Sequence, residues 1–313
     1  VNGNAGNIAV EVGSSRAQRG GDLILRAGST SYETTVFARK GEGGGVYIES
    51  GKGIGNDATS GEIVISTPDG SHGLTQGTSG PISMSSGSVL TGTSGSIVVE
   101  SGDAVLGSAG EVVVSIGSGE SGTGADMSFS AGATTTATDT AGGSVSVLSG
   151  DAFSTDGSAT SGDILVATSN AATSGTSGTV SLLTGSAEIG SSGSVQITSG
   201  SATGGTAGDV SVAVGSGDSG TGGTTSLSSG QSSTSDGGLF SILTGSSEAD
   251  GSSGSVELST ADSSASGNIA LETGSSASGS SGDLTLKSGD SSRSAGNIAL
   301  TDGSSDSSGS SIS

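Results

Sequence analysis

Acidic and amide side chains recur directly after a glycine along this chain, and their spacing points most clearly to chemistry. The acidic members are Asp22, Glu62, Glu111, Asp163, Asp209 and Asp283, and the amide members are Asn7, Asn268 and Asn297. Stacked on neighbouring repeats, their oxygen atoms could bind calcium. The Gly-Gly-x-Gly-x-Asp nonapeptide of calcium-binding β-rolls is missing, however. We therefore favour a solvated acidic face, keep calcium as the alternative, and expect no other metal or cofactor.

Two glycine-rich stretches, Gly117–Gly122 and Gly215–Gly220, match the letters of a dinucleotide-binding fingerprint. That fingerprint binds a pyrophosphate only where a strand leads into the N-terminus of a helix. Another strand-like motif follows each stretch, so we interpret both matches as chance. Ser219 likewise sits in a Gly-Asp-Ser-Gly sequence typical of serine proteases, but the single histidine, His72, lies in a different repeat. The sequence therefore predicts no catalytic residue and no enzyme.

Composition narrows the possible classes of protein further. Serine, threonine and glycine make up more than half of the 313 residues, which is typical of disorder because small polar side chains bury little apolar area. The net charge of −22 argues against nucleic acid as a partner, since phosphates require basic patches. There is no cysteine for disulfides, and no apolar run of about 18 residues that would insert into a membrane.

An eight-residue motif, Gly-x-aliphatic-x-aliphatic-x-small-Gly, recurs in nineteen copies, as in Gly95–Gly102 and Gly282–Gly289. We number its residues as positions 1 to 8, continue that numbering into the following residues, and call the residues between two motifs the spacer. The copies begin at residues 6, 21, 44, 61, 80, 95, 110, 125, 143, 162, 178, 193, 208, 223, 238, 254, 267, 282 and 296. Nine of the eighteen intervals are 15 residues.

The apolar residues of the motif alternate with small or polar ones. Positions 3 and 5 are large and apolar in 37 of 38 cases, with Thr225 as the exception. A two-residue period is typical of a strand with one buried face. Position 8 is glycine in 16 of 19 copies, which indicates a turn with positive φ.

These features predict an all-β fold, namely a tandem-repeat β-solenoid with about 15 residues per coil and about 20 coils in a narrow two-layer rod. In this arrangement the aliphatic side chains of successive coils would form continuous ladders. We expect residues 1–313 to form one continuous domain, a segment of a longer repeat protein, with residues 29–43 as a protruding loop. Disorder is the alternative.

Charge is distributed unevenly along the chain. The first 52 residues hold six of the eight basic residues and carry a net charge of +1, whereas the remainder carries −23. Such asymmetry could steer one subunit onto another. An equally plain interpretation is that the first segment happens to be more basic.

Motifs such as Gly267–Leu271 and Gly282–Leu286 resemble the repeats of filamentous-haemagglutinin-like adhesins, and the Ser/Gly-rich spacers resemble repeat proteins of algal surface fibres, including mastigonemes. The period is shorter than in the haemagglutinin repeats. The resemblance implies an extracellular, fibrous role, with self-association into a filament and O-linked glycans on the many Ser and Thr residues. The alternative is an adhesin or stalk that displays a binding loop, for which residues 29–43 are the candidate.

Overall fold

The computed structural model describes residues 7–14, 19–30, 42–70, 77–135, 141–154, 159–171, 174–248 and 251–303. Within these ranges no residue belongs to a helix or to a β-strand. The prediction of an all-β tandem-repeat solenoid is therefore wrong, and so are the stacked 15-residue coils and the two-layer rod that it implied. A solenoid requires strands that hydrogen-bond from coil to coil, and the described motifs form no such ladder.

The described residues contain no hydrophobic core. No residue among them is buried, and the aliphatic side chains of the motif lie open to solvent, as Ile97 and Val99 show with 55% and 67% of their surface exposed. The physical reason lies in the spacers, which carry few large apolar side chains. Without a second apolar surface inside the repeat, the motif side chains have nothing of their own kind to pack against.

Some of the successive motifs are joined by loops that a backbone hydrogen bond closes. In six spacers the N–H of the glycine at position 1 donates a hydrogen bond to the carbonyl oxygen of the preceding glycine at position 8, with N···O distances of 2.9 to 3.0 Å. The bonded pairs are Gly44 with Gly28, Gly61 with Gly51, Gly143 with Gly132, Gly162 with Gly150, Gly238 with Gly230, and Gly254 with Gly245. Each bond holds the start of one motif beside the end of the motif before it.

The same junction provides most of the partial burial in the described chain. Most of the half-buried residues occupy position 7 of the motif: Ala27, Ser50, Thr67, Ser149, Thr244 and Ser288. The glycine at position 1 of the next motif approaches this side chain. At Gly21 and Gly223 a Cβ atom would lie 2.7 and 2.6 Å from the Cγ1 atoms of Val12 and Val214, so a larger residue there would require the valine side chain to shift.

The spacer of the regular repeats bends at a fixed place. In every described repeat of 15 residues, the chain bends at positions 11 to 13. Four of these bends have a glycine with positive φ at position 13, namely Gly92, Gly122, Gly190 and Gly220. The prediction of positive φ at position 8 is therefore wrong, because none of the position-8 glycines, all of them described, has one. The left-handed conformation belongs to the middle of the spacer.

In a few other spacers a hydroxyl group at position 10 bonds to the backbone of the bend. Ser232 Oγ accepts from the backbone N–H of Ser235 at 2.9 Å, Ser276 Oγ accepts from Gly279 at 2.9 Å, and Ser291 Oγ accepts from Ser294 at 3.2 Å. Thr134, at the same position of a longer spacer, donates from Oγ1 to the carbonyl of Ala141 at 3.0 Å. The serines are suited to this role because a short hydroxyl side chain reaches backbone N–H groups two or three residues ahead, whereas the Thr134 bond spans seven residues.

The chain divides into two units, Val1–Ile164 and Leu165–Ser313. The first unit contains the longer spacers, four of which are closed by the glycine-to-glycine bond, at residues 29–43, 52–60, 133–142 and 151–161. The second unit is more regular, and its closed spacers are residues 231–237 and 246–253. Whether all 313 residues form one continuous domain stays a prediction. Most of the predicted protruding loop at residues 29–43 lies outside the described residues.

Candidate functional site

The acidic and amide residues that follow a glycine do not converge in the described structure. Among the described residues, no three or more His, Cys, Asp or Glu side chains lie close enough together to hold a metal ion. One member of the set, Asp22, is engaged by Arg19, whose Nη2 donates to both carboxylate oxygens at 3.0 and 2.9 Å. The solvated acidic face therefore stays the prediction, and calcium binding stays the alternative, without a site among the described residues.

Two exposed ion pairs are formed within single segments of the chain. Arg19 pairs with Asp22, and Lys287 Nζ lies 3.1 Å from a carboxylate oxygen of Asp290. Both pairs join residues three apart, and all four side chains are largely exposed to solvent. Exposed pairs of this kind contribute little to stability. They also leave the overall negative charge unchanged, so the described surface stays acidic.

The two stretches with the dinucleotide-binding letters form spacer bends. Residues 120–122 and 218–220 bend, and the last glycine of each stretch has positive φ, +86° at Gly122 and +78° at Gly220. Neither stretch leads into a helix within the described residues, so the structural context for a pyrophosphate is missing there. Ser219 lies in the second bend, while His72 falls outside the described residues.

The feature with the greatest potential for binding is the set of exposed aliphatic side chains at positions 3 and 5. At position 5 the exposed fraction lies between 63% and 78% in all nineteen copies. At position 3 it lies between 44% and 64% in every apolar copy except the first. Soluble proteins seldom leave so many large apolar side chains open, and such surfaces usually mark interaction sites. The chemistry available here is apolar association.

Comparison with known proteins gives no assignment: no protein-family model, no curated protein and no solved structure matches the chain. The resemblance of the repeats to adhesins and algal surface fibres therefore stays a prediction. In the described ranges, no helix is present that is long and apolar enough to cross a membrane.

Two sets of structural residues were missed by the sequence reasoning, namely the position-10 hydroxyls and the position-13 glycines. The positive-φ glycines follow a Val, Gly or Ala at position 10, so the sequence holds no local signal for them. For the hydroxyls the signal is a Ser or Thr two residues after the motif, as at Ser276. That pattern is typical of a side-chain-stabilised turn. These residues shape the spacers, and none of them supplies a reactive group.

Proposed function

We propose that this chain is a structural subunit of an extracellular filament or surface appendage, and that copies associate through the aliphatic side chains of their motifs. The observation that supports the proposal is the exposure of apolar residues at positions 3 and 5 in repeat after repeat. Chance composition does not place large apolar residues at 37 of 38 such positions in a chain that is mostly Ser, Thr and Gly. A partner that covers these side chains explains both the pattern and the exposure.

A second copy of the chain is the partner that fits the spacing best. Many motifs recur at 15-residue intervals, so two copies carry the same spacing and can bring many aliphatic pairs together at once. Once the first aliphatic pairs between two copies have formed, the remaining pairs form at a high effective concentration. Many weak contacts then give a high overall affinity between the copies. The Ser- and Thr-rich spacers stay exposed in this arrangement and offer acceptors for O-linked glycans.

The proposal is tested by following the purified protein with sedimentation velocity and electron microscopy over a range of concentrations. We expect a threshold concentration above which the protein forms filaments. Each copy carries a net charge of −22, so two copies repel each other. The buffer should therefore contain about 0.15 M salt, where the Debye length is about 8 Å and this repulsion is screened. A monodisperse monomer at millimolar concentration in this buffer would overturn the proposal.

A further inference from the structure

We infer that two copies of this chain associate mainly through their position-5 side chains, and that the position-3 side chains contribute less. This inference rests on the proposed self-association and names the surface that performs it. The two positions are chemically alike in the sequence, and the structure distinguishes them.

Exposure separates the two positions consistently. In every copy from the second onward that is apolar at both positions, the position-5 side chain is more exposed than the position-3 side chain. The difference is clear at Ile164 and Val166, with 54% and 74% exposed, and at Val210 and Val212, with 56% and 78% exposed. Position 3 has therefore already lost part of its apolar surface to its own chain, whereas position 5 keeps more of its surface for a partner.

The residue types agree with this division. Position 5 is large and apolar in all nineteen copies, and the single polar substitution, Thr225, falls at position 3. At Thr225 the neighbouring position-5 residue Leu227 keeps its apolar character and is 73% exposed. A repeat can thus carry a hydroxyl at position 3 and still present the position-5 surface.

The available area is sufficient for a stable contact between copies. Burying one large aliphatic side chain removes roughly 60–120 Å² from water, and a standard interface buries about 800 Å² on each partner. About ten position-5 side chains meet that requirement, and each copy carries nineteen. Because the spacing repeats, one copy can bind another in a staggered register and leave further position-5 residues open, so growth continues beyond a dimer.

Charge favours the staggered register over full overlap. In full overlap of two parallel copies the acidic part of one copy, with a net charge of −23, lies beside the same part of its partner. A stagger places the first 52 residues of one copy, with a net charge of +1, beside some of that acidic part instead. Repulsion is then smaller, since like charges are brought together in fewer repeats.

The test compares two matched sets of six Val→Thr or Ile→Thr substitutions in the same six repeats. The position-5 set is Val99, Val114, Val147, Val166, Ile197 and Val212, and the position-3 set is Ile97, Val112, Val145, Ile164, Val195 and Val210. Threonine has nearly the shape of valine, so each Val→Thr substitution exchanges a methyl group for a hydroxyl, and each Ile→Thr substitution exchanges an ethyl group for a hydroxyl. The position-3 set removes slightly more apolar surface by residue type, which makes it a stringent control.

Sedimentation of the full chain gives the threshold concentration for filaments in each variant. We expect the position-5 set to raise the threshold at least tenfold and the position-3 set to raise it less than threefold. Equal effects of the two sets, or a larger effect of the position-3 set, would overturn the inference while self-association stands. A wild-type chain that stays monomeric but binds an octyl-agarose surface through position 5 would assign this surface to another occupant and overturn both proposals.

Discussion

Substitution of Ser232 by alanine tests whether the spacer turn persists in solution. Ser232 Oγ accepts hydrogen bonds from the backbone N–H of Ser235 at 2.9 Å and of Thr234 at 3.4 Å. The turn lies inside the spacer that is closed by the bond from Gly238 N to Gly230 O at 2.9 Å. Removal of the hydroxyl leaves the two donors to water and removes a local restraint on the loop.

The expected magnitude follows from the kind of bond and its exposure. An intramolecular hydrogen bond contributes about 0.5–1.5 kcal/mol net, and water competes for a bond in an exposed loop, so the lower end of this range applies. A loss of about 0.5 kcal/mol shifts the equilibrium between closed and open turn by a factor of about two. The amide hydrogen of Ser235 should exchange with solvent about twofold faster. The amide hydrogen of Gly238 should change in the same direction, because an open turn weakens the closing bond.

Amide hydrogen exchange measured by NMR provides the assay, and Ser233→Ala provides the control. Ser233 lies next to Ser232 in the same bend, and its hydroxyl makes none of the turn bonds described above. The corresponding changes at Ser276 and Ser291 should affect the amides of Gly279 and Ser294. If S232A and S233A give the same exchange rate at Ser235, the side-chain-stabilised turn does not exist in solution and the reasoning fails.

Two further predictions concern backbone conformation and charge. Gly122→Ala places a Cβ at a residue with φ of +86°, at a cost of about 1–2 kcal/mol, so the chemical shifts of residues 120–124 should move toward random-coil values. Gly107→Ala, at the same position of a neighbouring repeat but without positive φ, should leave residues 105–109 unchanged, and equal changes at both sites would contradict the role of φ. The filament threshold should fall as NaCl rises, since salt screens repulsion between chains that carry −22. CaCl₂ at equal ionic strength should act like NaCl, and a fall specific to calcium would contradict this and support the calcium alternative.

The positions at which each motif begins and ends could be predicted from the sequence, because glycine and large apolar residues recur at fixed positions in the motif. The glycines that bound the motif are the residues that form the loop-closing bonds, as at Gly230 and Gly238. The position-13 bend was not accessible in the same way. Glycine is so frequent throughout the chain that Gly122 looks no different from Gly119, although only Gly122 has positive φ. Composition hides a conformational signal when the informative residue is also the commonest one.

The solenoid prediction was wrong for a more general reason. A period of two shows that alternate side chains share a chemical character, and it does not show that the same chain covers them. Val99 and Val114 each follow another large apolar residue of the motif at a distance of two residues, which is the spacing of a buried strand face. They are nevertheless 67% and 66% exposed. The spacer after each of them offers Ser, Gly and Ala, with too little apolar surface to form the other half of a core.

The apolar side chains of the motif are not covered by their own chain, so another molecule is the candidate for covering them. The one polar residue, Thr225, falls at position 3, and position 5, the more exposed of the two from the second copy onward, is apolar without exception. Exposure normally relaxes the requirement for an apolar residue. An apolar requirement that holds at side chains 63–78% exposed is the expected consequence of the proposed contact, which forms only when a second molecule arrives.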